Sequence, residues 1–209
     1  MQNPVIRFIE ETHEYFVEEV KYPSVNEILA YMGLMDFSKV PAEKLARSQK
    51  FGKAVHYATA LDDIGKLDMA TLSEPLIPHL ESWHKFKKDY GYNFDEAEIE
   101  QKMVSTIWKI AGTPDRYKIM AKNLDIVDLK SGTTVYDVTD LQLGGYEVII
   151  PEWLDFKPKK IKRLIVQTTD TGIPNVKECK DFTDRVNFLS YRNCYYYEKK
   201  HGVKRAGRE

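Results

Sequence analysis

Two short stretches carry carboxylates and an ammonium at a spacing suited to metal-assisted chemistry. Gly112-Thr113-Pro114-Asp115 is followed, thirteen residues after Asp115, by Asp128-Leu129-Lys130. Gly-Thr-Pro reads as a turn, so Asp115 opens one β-prone segment, while Asp128 and Lys130 end the next. Two antiparallel strands joined by a tight turn bring those ends together, and strand alternation puts Asp128 and Lys130 on one face. Two hard oxygen ligands suit Mg²⁺ or Mn²⁺, which take few protein carboxylates and complete their shell with water and substrate phosphate. Such an ion acidifies a bound water and polarises a phosphate, and Lys130 would orient the water or offset phosphate charge. The same residues also fit a plainer reading, turn acids beside a solvated surface lysine, because Asp-x-Lys occurs by chance in many chains.

The elements that must hold these residues can be read along the chain. Residues 1–22 alternate apolar and polar (Ile6, Phe8, Tyr15, Val17) and predict a β-hairpin. Ser24 with Glu27 three residues later predicts a helix N-terminus with a capping box. Further helices are expected over 42–63, after Pro41, and over 73–90, where Leu76, Leu80, Trp83 and Phe86 share a face before Gly91. Short β-prone segments then follow at 99–104, 106–111, 115–121 and 124–129, predicting an antiparallel meander. A helix over 137–150 should be stopped by Pro151. Strands at 161–167 and 176–178 flank a turn at Gly172-Ile173-Pro174, and an amphipathic helix over 182–200 closes the chain.

The bulk numbers narrow the class. A 209-residue chain with 43% apolar residues buries one proper core and fits a single domain. A formal net charge of −1 argues against holding duplex nucleic acid by bulk charge alone, though a cluster of acids at a metal site would offset basic residues elsewhere. Cys179 and Cys194 cannot form a four-cysteine zinc or iron–sulfur site, and reduced thiols are expected. With no basic start followed by an apolar run, and no apolar stretch of membrane-spanning length, a cytoplasmic protein without membrane contact is expected.

Taken together, Gly-Thr-Pro-Asp and Ile126-Val127-Asp128-Leu129-Lys130-Ser131-Gly132 resemble the PD-(D/E)XK nuclease superfamily. Pro114-Asp115 matches its PD, and Asp128-Leu129-Lys130 its (D/E)XK. Gly52-Lys53-Ala54-Val55-His56 looks like the Gly-x-x-x-His element of the RecB-type exonuclease branch, and Leu141-Gln142-Leu143-Gly144-Gly145-Tyr146 looks like its Gln-x-x-x-Tyr helix. The opening, His13-x-Tyr15 with Pro23-Ser24-Val25-Asn26-Glu27, is similar to stand-alone phage members. These motifs occur in the family's order, and together they are far more specific than any one of them.

The resemblance implies an α/β fold with a restriction-endonuclease-like core, a mixed central sheet flanked by helices and an N-terminal β-hairpin. Residues 1–209 would form one nuclease domain, with 1–22 and 151–209 as elaborations. It implies a divalent-metal-dependent deoxyribonuclease, in the exonuclease branch, acting in recombination, repair or phage DNA processing. Asp115, Asp128 and His56 would hold one or two Mg²⁺ or Mn²⁺ ions. Glu100 is the fourth candidate, competing with Glu96 and Glu98. Lys130 would act on water or phosphate, and Gln142 would help arrange the site. Tyr146 would contact DNA or support its helix. A lone helix histidine is ordinarily a core or surface group, and for His56 it is the resemblance that favours a ligand. His13, His79, His84 and His201 have no such support. Lys157, Lys159, Lys160, Lys162 and Arg163, and then Lys199, Lys200, Lys204, Arg205 and Arg208, form basic runs that could track a phosphate backbone or be solvated faces. The chain lacks a Gly-x-x-x-x-Gly-Lys-Ser/Thr motif, so no ATP site is expected, and it lacks the cysteines of iron–sulfur members of the branch. DNA is the expected partner. A helicase or recombination protein, and a second copy of the chain, remain open. The alternative function is a catalytically silent DNA-binding or scaffolding protein on the same fold.

Overall fold

The computed structural model describes residues 3–38, 40–132 and 135–203. In chain order, β1 (Ile6–Ile9), β2 (Glu14–Val17) and β3 (Val20–Tyr22) precede α1 (Val25–Tyr31), α2 (Ala42–Asp63) and α3 (Ile77–Tyr90). Then come β4 (Met103–Ser105), β5 (Ile110–Gly112), β6 (Arg116–Met120), β7 (Asn123–Lys130), α4 (Val138–Trp153), β8 (Lys160–Gln167), β9 (Asn175–Glu178) and α5 (Asp184–His201). The molecule is mixed α/β, with three sheets and five α-helices among the described residues.

The central sheet has the order β6-β7-β8-β9 and is mixed, since β7 and β8 run parallel while the outer pairs are antiparallel. A parallel pair needs a crossover, and α4 supplies it. β7, Asn-Leu-Asp-Ile-Val-Asp-Leu-Lys, is buried along six of its eight residues because helices cover both faces. Leu124 and Ile126 face a core built with α1, α4 and α5, including Val25, Ile28, Leu143, Ile149 and Phe188. Val127 and Leu129 face a second core with Val55, Trp83 and Phe86 of α2 and α3. Alternation along one strand therefore joins two cores and leaves Asp128 on the α4 side at the strand's carboxyl end.

The N-terminal segment forms a three-stranded antiparallel sheet rather than a lone hairpin. Glu18 and Glu19 make its second turn, both with left-handed φ (47° and 63°), as a two-residue turn matched to strand twist requires. Ser24 caps α1 by accepting from Glu27 N at 3.0 Å. The reciprocal half of the expected capping box is missing, because the Glu27 carboxylate is used by Lys21 and the Tyr195 hydroxyl.

Four further expectations are corrected. The meander splits, with β4 and β5 forming a separate two-stranded sheet and β6 pairing with β7. Within it, the expected strand at 106–111 is largely a four-residue turn over 106–109, held by the Glu152 carboxylate, which accepts from Thr106 N (2.7 Å) and Ile107 N (3.1 Å). The expected strand at 99–104 is broken. Glu96–Glu98 is a 3₁₀ turn, Ile99 makes a single bridge to Arg116, and Glu100 has φ 45°. Pro151 does not stop α4, which continues to Trp153. The proline forfeits one ladder bond, while the extra turn places Glu152 on the β4–β5 turn. Cys179 is buried and Cys194 exposed, neither in a disulfide, and no described helix is long and apolar enough to cross a membrane.

The deepest polar contact ties α2 to β6. Arg116 and Asp63 side chains are both fully buried and meet at 2.9 Å, and Asp63 also accepts from Trp83 Nε1 (2.9 Å) and Lys87 Nζ (2.7 Å). Asp63→Asn should leave buried Arg116 without its counter-charge, while Lys87 keeps Asp62 at 2.9 Å, and cost about 3–5 kcal/mol of stability. The double change Asp63→Leu with Arg116→Met should recover part of that loss. Denaturant melts of wild type, both single variants and the double variant check this, and additive losses would show that the pair is not coupled.

Candidate active site

Asp115 lies in the last residue before β6, where three contacts hold the turn. Tyr15, fully buried in the N-terminal sheet, donates or accepts at 2.7 Å with the Thr113 hydroxyl. Tyr146 of α4 donates to the Thr113 carbonyl at 3.3 Å. Gly112 makes room for that ring, since a Cβ there would lie 2.7 Å from Tyr146 Cε1. The Asp115 carboxylate then reaches across to β7, and its Oδ2 accepts from Leu129 N at 2.7 Å. On β7, Lys130 Nζ lies 2.7 Å from Asp128 Oδ2, yet off the bonding direction, so that buried oxygen has a charge partner but no aligned donor.

His56 enters from α2. Its Nε2 lies 3.0 Å from the Leu129 carbonyl, which can only accept, so Nε2 carries the hydrogen. Nδ1 therefore faces Asp115 Oδ1 at 3.4 Å and Glu100 Oε1 at 3.8 Å. Glu100 reaches this position through its left-handed backbone, pinned by its N–H to the Asp115 carbonyl at 3.0 Å. Such a conformation in a non-glycine residue costs roughly 1–2 kcal/mol and here aims a carboxylate at the site. The competing acids are engaged elsewhere: Glu96 pairs with Lys66, and Glu98 with Lys118. On α4, Gln142 Oε1 accepts weakly from Lys130 Nζ and its Nε2 donates to the Tyr146 hydroxyl, both at 3.4 Å. Asp115, Asp128, Lys130, His56, Glu100, Gln142 and Tyr146 all line one cavity of about 390 Å³.

Electrostatics follow from crowding acids in a dry place. Burial pushes Asp128 up to about 6, and the Asp115 charge adds to this against the opposing Lys130 ammonium. Burial also acts on Asp115, but the charges of His56 and Lys130 and the Leu129 N–H outweigh it and hold the acid near 2. Burial disfavours a charged His56, yet Asp115 and Glu100 override it and raise the imidazole to about 10. Lys130 is likewise raised by Asp128 and Asp115 in spite of burial. A proton on Nδ1 thus satisfies a position flanked by two carboxylates, and a cation would satisfy it equally.

The basic run at 157–160 lies elsewhere. Lys160 pairs with Asn123 at the opposite end of β7 from Lys130, about 23 Å away at the rise of a strand. Lys157, Lys159 and Lys160 are exposed there. Arg163 is buried on Glu147 and Asp184, and Lys162 and Lys199 lie over tyrosine rings. Lys204, Arg205 and Arg208 lie outside the described residues. Tyr146 is buried and lines the cavity, its hydroxyl bonded to Gln142 and the Thr113 carbonyl. Sequence reasoning missed Asn26 and Lys53 as cavity residues and set His13 aside, although the His13-x-Tyr15 opening carried a signal. His79, bonded to Thr168, and His84, paired with Asp62, hold elements together instead.

A comparison with protein-family models returned no match, and one with curated proteins returned none either.

His56 sets a pH dependence of metal-free stability. Its folded pKa of about 10 stands above the ordinary 6.5, so the stabilisation is fully present below pH 6.5 and is lost as pH rises through 10. In EDTA, the stability difference between wild type and His56→Gln should be about 1–3 kcal/mol larger near pH 6 than above pH 10. Denaturant melts across that range check it. A difference independent of pH would mean that the imidazole is neutral throughout.

Proposed function

We propose that the chain is a divalent-metal-dependent deoxyribonuclease with a restriction-endonuclease-like core, of the PD-(D/E)XK type and its RecB-like branch, acting on DNA in recombination, repair or phage DNA processing. The observation that carries this reading is convergence. Residues from α2, the segment before β4, the turn before β6, the end of β7 and α4 meet in one cavity, and they are the residues on which the resemblance rests. An accidental Asp-x-Lys gives no reason for His56 and Gln142 to be there.

The donor set fits a hard divalent cation. The Leu129 carbonyl fixes the imidazole tautomer that leaves Nδ1 facing Asp115 and Glu100, and Asp128 presents a buried oxygen with no aligned donor. Asp115, Asp128, His56 and Glu100 would hold Mg²⁺ or Mn²⁺, with imidazole favouring Mn²⁺. A bound ion supplies Lewis acidity toward the phosphate and a more acidic water.

The chain's own residues do the rest. Lys130 keeps its proton because Asp128 and Asp115 surround it, so it acts as a fixed positive charge toward the phosphate, where charge grows in the transition state. Gln142, bridging Lys130 and Tyr146, limits where the ammonium can swing. Exposed Lys53 on the cavity rim is better placed to meet the phosphate backbone than the distant run at 157–160.

With Mn²⁺ or Mg²⁺, the purified protein should hydrolyse linear DNA. Lys130→Ala should lower the rate by about 10²-fold or more while keeping the melting temperature within a few degrees. Asp128→Asn should abolish both hydrolysis and any metal-induced rise in melting temperature. Wild-type rates in Lys130→Ala would overturn the mechanism.

A further inference from the structure

A second cavity, of about 320 Å³, adjoins the acidic one. The two share Asn26, His56, Lys130 and Gln142 as lining residues. Beyond these its lining is mostly apolar, with Leu34, Met35, Val138, Phe37 and Tyr136 beside Asp36, Ser131 and Thr139. The two aromatic residues stand open: Phe37 is 38% exposed and Tyr136 55% exposed. Their rings meet edge to face, with centroids 6.5 Å apart and planes at 83°. That arrangement leaves ring faces free for a flat guest, which can stack on one ring and abut the edge of the other. Between the two cavities, the Asn26 side-chain oxygen is buried without a hydrogen-bond partner. A buried polar atom of this kind is ordinarily satisfied, and here it belongs to a residue that lines both cavities.

Three requirements follow for the guest. It must offer a flat face to aromatic rings, a polar edge to Asn26, and a connection to a group that sits beside Lys130 and the acids. An unpaired nucleotide meets all three, with its base in the apolar cavity and its phosphate in the acidic one. A base within intact duplex cannot, because it is stacked and paired and must first be extruded.

We propose that this cavity receives an unpaired nucleobase next to the phosphate in the acidic cavity, stacked on one of Phe37 and Tyr136, abutting the other and bonded by Asn26, so that the preferred substrate is a single-stranded or frayed DNA end. The inference rests on the nuclease reading and adds the substrate class to it.

The test compares binding of a fluorescein-labelled single-stranded 12-mer with binding of the same sequence as blunt duplex, by anisotropy in EDTA, alongside hydrolysis of both with Mn²⁺. Wild type should bind the single strand about tenfold tighter than the duplex or better, because the duplex must lose pairing first. Phe37→Leu with Tyr136→Leu keeps apolar bulk but removes the ring faces. It should weaken single-strand binding about 5- to 150-fold, the range for losing base stacking, and collapse the preference. Tyr136→Phe should retain the preference, and thermal melts establish that each variant is folded. If the leucine pair binds the single strand as wild type does, or wild type prefers the duplex, the inference is overturned while Mn²⁺-dependent cutting leaves the nuclease reading standing. A wild-type protein that neither binds nor cuts either DNA overturns both.

Discussion

The Asp63 carboxylate, buried at the carboxyl end of α2, accepts from Arg116, Lys87 and Trp83, and the geometry of the candidate site depends on this knot. Arg116 is the residue after Asp115, and its guanidinium also donates to the Asp115 carbonyl at 2.7 Å and to Thr59 at 3.3 Å. Thr59 and His56 lie on the same helix, and the Thr59 hydroxyl returns to the His56 carbonyl. One buried cation thereby fixes the separation between the helix that carries His56 and the strand that follows Asp115. Burying these charges is costly. What the network contributes is placement, because each partner's position is set by the others.

The site itself stores repulsion. Asp115 and Asp128 are buried close enough to influence one another, with Glu100 nearby, and Lys130 and protonated His56 supply the compensating charge. Under the proposed function, a proton and a metal ion would compete for one position. It also accounts for Glu100, whose left-handed φ has no packing reward of its own: its side chain is 43% exposed, yet it points at His56. The neighbouring apolar cavity complements the acids, placing ring faces beside a fixed ammonium.

Legibility in the sequence divided along physical lines. Elements with strong periodicity and punctuation were readable, as α2 shows at 42–63 and α3 shows in ending at Gly91, which adopts the left-handed cap. Asp115, Asp128 and Lys130 were readable because turn and strand alternation alone bring them together. His56, Gln142 and Tyr146 were legible only through motif resemblance, since nothing local says that helices remote in sequence close on one strand end. The Arg116–Asp63 pair was not legible, because an arginine opening a strand looks like any edge cation until the helix packed over it is known. Local reading failed where tertiary contacts outweighed it: at Pro151, where Glu152 holds the neighbouring turn, and at Glu100, whose strand-like surroundings hide a left-handed residue. The 157–160 run shows the converse, a conspicuous charge pattern whose distance from Lys130, at the opposite end of β7, only the fold reveals.

The account stands or falls on whether a divalent cation occupies the space between Asp115, Asp128 and His56. Anomalous diffraction from crystals grown with Mn²⁺ measures this directly. The account predicts a peak bounded by the Asp115 and Asp128 carboxylates and His56 Nδ1, lost in crystals of Asp128→Asn. Mn²⁺ bound only elsewhere, with His56 Nδ1 still about 3.4 Å from Asp115 Oδ1 and no peak beside them, would contradict it.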